Sequence, residues 1–181
     1  MTTTTPTQAG RTAGPPATKT VLVVMGVAGS GKTTVARLLA AQLGWTFAEA
    51  DDFHPPANVA KMSAGTALTD EDRWPWLDDL RAWIDADPAN AVITCSALRR
   101  SYRDVLRRAD ARVRFVHLDG TVAQLSQRLS SRIGHFMPAT LLSSQLGTLE
   151  RLDPDEDGAV IDIDAPPAEL GARIISALAL S

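Results

Sequence analysis

Cysteine is nearly absent from this chain. Cys95 stands alone among 181 residues, so no internal disulfide can form, and a reducing cytoplasm is the expected compartment. No stretch approaches the ~18 consecutive apolar residues that a membrane span needs. No Lys/Arg block dominates any segment and the formal net charge is −3. That argues against nucleic acid as a partner, because phosphate neutralisation needs a basic stripe. Residues 1–18, MTTTTPTQAGRTAGPPAT, lack apolar periodicity and the apolar centre of a secretory signal. They read as a disordered tail, which leaves residues 19–181 as one domain.

What remains is an alternation. Short apolar, β-branched runs at 20–26, 45–50, 91–96, 113–118 and 159–163 read as strands, several of them buried on both faces. Helical patterns follow them: 32–44, stopped by Gly44; 72–87, with Asp72 as N-cap; then 98–109, 121–132 and 167–179. Five strand–helix alternations predict an α/β fold with a five-stranded parallel sheet. Right-handed crossovers would gather the loops after the strands at one edge, where open α/β sheets bind ligands. Two polar stretches, 51–72 after strand 2 and 130–150 after strand 4, interrupt the alternation at that edge.

The segment GVAGSGKTT follows the first strand directly and runs into the first helix. It matches G-x-x-x-x-G-K-[ST] through Gly26, Gly31, Lys32 and Thr33, in the strand–loop–helix context that gives the motif meaning. Gly29 and Gly31 let backbone N–H groups, including those of Ala28 and Ser30, turn inward as an anion nest. The helix start at Lys32–Thr34 adds its positive dipole end. Lys32 would reach the β- and γ-phosphates of ATP, and the Thr33 hydroxyl would ligate Mg²⁺.

Nucleotide binding leaves several classes open, and further absences narrow them. There is no Asn-Lys-x-Asp segment for guanine, and the third strand ends in Cys95-Ser96 rather than in the aspartate of a motor core. A small-molecule kinase survives. Such an enzyme needs a carboxylate to orient the acceptor hydroxyl and take its proton. Asp51, at the ligand end of strand 2, is the expected base. Glu49 would hold Mg²⁺ through water, Asp52 would be solvated, and His54 would bind the acceptor. The competing reading of this acidic run is a solvated turn.

The stretches GVAGSGKTTVA, ADDFHPPANVAKMSAGTALTDEDRWPWL, CSALRRSYRDVLR, RLSSRIGHFMPATLLSSQLGTLE and DEDGAVIDID together resemble the gluconokinase family of P-loop sugar-acid kinases. The likeness runs from about residue 20 to 180. H-P-x-x-N-x-x-K-M, D-x-D-R-x-P-W-L and G-H-F-M-P, in that order, are its specific part. Ala50, Ala67 and Arg99 stand where the family commonly has Gly, Pro and Lys.

The resemblance implies a three-layer P-loop NTPase fold, with residues 51–72 as an acceptor-binding insertion and 130–150 as a lid. It also implies ATP-dependent phosphorylation of D-gluconate to 6-phospho-D-gluconate, and a homodimer. Gluconate is a polyhydroxylated anion, so its site should hold Arg for the carboxylate and His, Asp or Asn for the hydroxyls. Arg73 is the first expectation for the carboxylate, with Arg103 and Arg99 behind it; a surface arginine paired with Asp70 or Asp72 is the alternative for Arg73. Arg128 and Arg132, four apart on one helical face, would clamp the nucleotide phosphates at the lid base, and Arg132 would act in catalysis. His135 and Gln145 would touch acceptor or phosphates. Another P-loop kinase acting on shikimate or a nucleoside monophosphate, and a non-catalytic nucleotide sensor, remain open. A shikimate kinase would carry Gly-Gly-Gly where this chain has Ser96-Ala97-Leu98.

Overall fold

The computed structural model describes residues 19–131 and 139–180; the tail at 1–18 and Arg132, Gly134 and His135 of the lid reading lie outside the described residues. Five parallel strands form one sheet: β1 (Thr20–Met25), β2 (Thr46–Glu49), β3 (Ala91–Thr94), β4 (Arg112–Asp119) and β5 (Gly158–Asp162). Their order is β2-β3-β1-β4-β5. The chain reverses direction across the sheet between β1 and its neighbours β3 and β4. The crevice at the carboxyl end of β1 is therefore the expected ligand position.

Alternation along β1 builds the layers, because successive side chains leave a strand on opposite faces. Leu22 and Val24 pack with Val35 and Leu39 of α1 (Lys32–Leu43) and Leu170 and Ile174 of α7 (Pro167–Ala177). Val21, Val23 and Met25 face the other way, onto Trp76, Leu77, Leu80 and Ile84 of α3 (Asp70–Ala86) and Leu106 of α4 (Arg100–Leu106). Each of these buried side chains contributes roughly 1.5–3 kcal/mol by leaving water. The sheet is thus covered on both faces, which is why its strands read as continuous apolar runs.

The two interrupting stretches carry short helices. A 3-10 turn (Ala50–Phe53) and α2 (Pro56–Ser63) follow β2; α5 (Val122–Ser130) and α6 (Ala139–Thr148) follow β4. Pro55 and Pro56 open α2 at positions where the missing N–H costs nothing. One expectation is corrected. Thr69, not Asp72, caps α3: its hydroxyl accepts from the Asp72 N–H, and the Asp72 carboxylate accepts from the Thr69 N–H at 2.9 Å. Asp72 is the third helical residue of a capping box, a pattern that places an acidic side chain one turn inside the start.

Candidate active site

At the carboxyl end of β1 the chain turns through Gly26 at φ 139°, where an added Cβ would lie 2.7 Å from the Leu118 carbonyl oxygen. Gly29, at φ 81°, allows no side chain either, because Leu125 O and Leu129 Cγ would each lie 2.9 Å from its Cβ. The loop is pressed against α5 and follows a path that only glycine takes comfortably. Ala28, Gly29, Gly31, Lys32 and Thr33 line one wall of a cleft of about 350 Å³. Lys32 Nζ donates to the Val27 carbonyl at 3.1 Å. Gly26 and Ser30 lie behind this wall, Ser30 fully buried, whereas Thr34 is exposed and outside the lining.

The opposite wall comes from β2, the 3-10 turn, α2, α3 and β3. Glu49, Asp51, His54, Arg73, Trp76, Thr94 and Cys95 all line the same cleft. Thr94, at the end of β3, donates its hydroxyl to Glu49 Oε1 and holds that carboxylate toward the phosphate loop. The Asp51 side chain is 80% exposed in the cleft mouth, its Oδ1 3.8 Å from His54 Nε2. The His54 side chain is only 4% exposed and its ring stacks on Trp76 at 4.2 Å between centroids. Burial pushes the His54 pKa below its usual value; Asp51 opposes this and Arg73 adds to it. Burial thus favours the neutral ring. Burial pushes the Cys95 thiol up to about 12, so this cysteine is an unreactive wall residue.

Arg73 faces two ways. It lines the cleft, and it also pairs with Asp70 at 3.4 Å. Asp70 is the hub of a cluster: it accepts from Tyr102 Oη at 2.6 Å and from Arg99 at 2.8 Å, while Arg73 donates to Tyr102 Oη at 3.2 Å. Burial, then the bond to Asp70, raises the Tyr102 pKa. Arg99 reaches Asp70 but does not line the cleft.

Arg103 is not an acceptor ligand. Its side chain is fully buried and all five of its N–H groups are engaged. Nε and Nη2 grip Glu156 at 2.7 and 2.8 Å, and the remaining donors go to the carbonyls of Ala97, Glu150 and Arg151. It ties α4 to the segment before β5. Its partner lies 53 residues away, so no local pattern announces the pair. Ala97 turns at φ 44° beside it and aims its carbonyl at Nη1, 3.1 Å away.

Gln145 of α6 lines the cleft, and its Oε1 accepts from the Ala28 N–H of the phosphate loop at 2.7 Å. Arg128 of α5 donates to Ser30 O at 3.4 Å and to Ile163 O at 2.7 Å. It also lines a second cavity, again about 350 Å³, with Gln124, Gln127, Ser131, Ile163 and Asp164. Sequence reasoning named Asp70 as a partner of Arg73 but missed Thr94, Asn58 and Tyr102, which hold other residues of the cleft. Only Asn58 carried a local signal, its place four residues after His54.

A glycine cradle with an invited lysine, facing a wall of carboxylate, histidine and arginine across one cleft, defines a P-loop kinase of small molecules. The shikimate kinase family matches residues 28–146. The gluconokinase of Gluconobacter oxydans (strain 621H) is 57% identical over 146 residues, which cover 78% of this chain and 80% of that protein. Among solved structures, a sugar kinase from Janibacter sp. HTCC2649 superposes with a TM-score of 0.84 at 53% identity, over 91% of this chain and 96% of that one. A gluconokinase from Sinorhizobium meliloti 1021 gives 0.82 at 44% identity, over 88% and 91%. The chain belongs to the gluconokinase family.

Proposed function

We propose that the protein transfers the γ-phosphoryl group of ATP to the terminal hydroxyl of D-gluconate, giving 6-phospho-D-gluconate and ADP. The observation that carries this reading is the single cleft, with the phosphate loop on one wall and Asp51, His54 and Arg73 on the other. Main-chain N–H groups of the loop and Lys32 bind the phosphates. Arg128 lies between the loop and the second cavity, which has room for the nucleoside. Arg73 takes the acceptor carboxylate, and His54 and Gln145 bind hydroxyl or phosphate oxygens. Asp51 orients the attacking hydroxyl and takes its proton as the new O–P bond forms and the bond to the leaving ADP oxygen breaks. Arg132 and His135 complete the reading from the lid.

Mg²⁺ fits the donors present. Among the described residues no group of three or more His, Cys, Asp or Glu side chains could cage a metal. Mg²⁺ takes most of its ligands from phosphates and water, and Thr33 and Glu49 both line the cleft. Thr33 and, through water, Glu49 would hold it, and when bound it neutralises phosphate charge. No helix among the described residues is long and apolar enough to cross a membrane, and a cytoplasmic homodimer belongs to the same reading.

A coupled ADP-release assay against gluconate, other aldonates, glucose, shikimate and nucleoside monophosphates tests the proposal. Gluconate should be turned over and glucose barely, since glucose has no carboxylate to form a charge-assisted bond with Arg73. Equal turnover of glucose would remove the arginine–carboxylate argument. ATP binding without turnover of any acceptor would make the chain a nucleotide sensor.

A further inference from the structure

The motif H-P-x-x-N-x-x-K places His54, Asn58 and Lys61 at intervals of four and three, so the last two share one face of α2. Asn58 is 3% exposed. Its Nδ2 donates to the backbone carbonyl of Asp72 at 2.8 Å. A carbonyl can only accept, so this bond settles which end of the amide faces α3. The same Nδ2 lies 3.4 Å from His54 Nδ1. Its second hydrogen therefore meets the ring nitrogen, and Nδ1 has to supply a lone pair. A neutral imidazole carries one N–H, which is then on Nε2. Nε2 is the atom nearest Asp51, at 3.8 Å on the cleft side.

The frame around this pair is fixed from outside. Lys61 Nζ donates to both carboxylate oxygens of Asp72, at 2.6 and 2.8 Å, and the Thr69 N–H holds the same carboxylate. The Asp72 carbonyl that orients Asn58 is thereby held at the first turn of α3. Trp76 supports the His54 ring from beneath, and its own Nε1 is bound to Ala50 O at 2.8 Å.

We infer that Asn58 is a positioning residue that locks His54 in its Nε2–H tautomer, so that the ring offers the acceptor site a hydrogen-bond donor. Protonation of Nδ1 would set two donors against each other, so Asn58 also opposes the charged ring. Arg73 from α3 disfavours that charge and Asp51 from the 3-10 turn favours it. The donor then serves an oxygen of the acceptor or of Asp51. The sugar-acid part of this inference rests on the proposed function, but the tautomer does not.

The chain has three histidines, so the full-length protein labelled with ¹⁵N-histidine gives a resolvable spectrum. A His54→Gln spectrum assigns the His54 signals by difference. Wild type at pH 7.5 without ligands should show a protonated Nε2 and an unprotonated Nδ1 for His54. An Nδ1–H tautomer, or two averaged nitrogens, would overturn the inference without touching the question of substrate. In Asn58→Asp the new carboxylate accepts from Nδ1–H, so at a pH high enough to keep the ring neutral the tautomer should flip. KM for gluconate should then rise about tenfold, the scale of one hydrogen bond, with KM for ATP unchanged. Asn58→Ser keeps a donor in less volume and should restore part of the loss. A flipped tautomer with unaltered gluconate kinetics would remove the role in acceptor binding. Should either variant misfold, the wild-type spectrum decides by itself.

Discussion

On the nucleotide wall of the cleft, the groups offered to a ligand are mostly main-chain N–H groups over Gly26 to Thr33. On the acceptor wall they are side chains drawn from β2, the 3-10 turn, α3 and β3. The first wall depends on the absence of Cβ atoms at Gly26 and Gly29, the second on bonds between side chains such as Thr94–Glu49, Asn58–His54 and Tyr102–Asp70. A main-chain site should therefore fail when a methyl is added and tolerate exchange of a side chain with no proposed ligand contact, such as Ala28. A side-chain site should fail when one polar atom is lost. The same contrast fits a wall that is generic to nucleotide-binding loops beside one proposed to discriminate among acceptors.

The sharpest way to break the comparison is Gly29→Ala. The added methyl meets Leu125 O and Leu129 Cγ at a positive φ, so the loop must shift away from α5. The kcat/KM for ATP should fall on the order of 10³-fold, the scale set by misplaced oxyanion donors. Titration with a fluorescent ATP analogue reports the loss directly. Near-normal affinity would mean that the cradle is not set by its glycines.

Arg103→Met tests the frame rather than either wall. It strands Glu156 in a buried site, which costs about 3–5 kcal/mol. At about 2–4 °C per kcal/mol for a chain of this size, Tm should drop by roughly 10 °C. KM for gluconate, measured where the variant is folded, should stay put. The double variant Arg103→Met, Glu156→Leu should recover much of the loss. An unchanged Tm with a raised gluconate KM would return Arg103 to the acceptor.

Asp51→Asn sharpens the contrast between the walls. It keeps the shape and removes the proton acceptor, so kcat should fall by about 10²-fold or more while nucleotide affinity changes little. Near-normal kcat would reduce the carboxylate cluster to a solvated turn.

The fold was legible because each of its signals is local: a buried strand reads as an apolar run, and a phosphate loop reads as glycines and a lysine at fixed spacing. All five strands lie within a residue or two of their expected positions. On the proposed acceptor wall the sequence displayed Glu49, Asp51, His54 and Arg73, and these four line the cleft. The residues that hold those groups act over separations of 14 residues for Asn58–Asp72, 32 for Tyr102–Asp70 and 45 for Thr94–Glu49. Arg103 was misread for the same reason. An arginine beside a ligand-facing loop looks alike whether it meets a substrate or a buried glutamate, until the distant partner is known. Ala97 makes the point in the backbone, since nothing in its identity announces φ 44°.

The smallest expected effect probes one of these distant links. Hydrogen bonds from Lys61 and from the Thr69 N–H hold the Asp72 carboxyl at about 2, against an ordinary value of 3.8. A carboxyl whose pKa is depressed by folding contributes stability that is fully present above its unfolded value. That contribution fades as pH falls from about 4 toward 2, because the unfolded chain takes up the proton first. Lys61→Met removes the first of the two causes. The variant's Tm at pH 7 should fall by a degree or two, in keeping with a half-exposed pair, and its Tm should depend less steeply on pH between 4 and 2 than that of wild type. Asn58 still finds the Asp72 carbonyl, since Thr69 caps the helix without Lys61, so KM for gluconate should rise only slightly. If instead Lys61→Met raised that KM as much as a direct change at Asn58, the lysine would be part of the acceptor wall. The face of α2 that carries both residues would then act as one rigid support for His54.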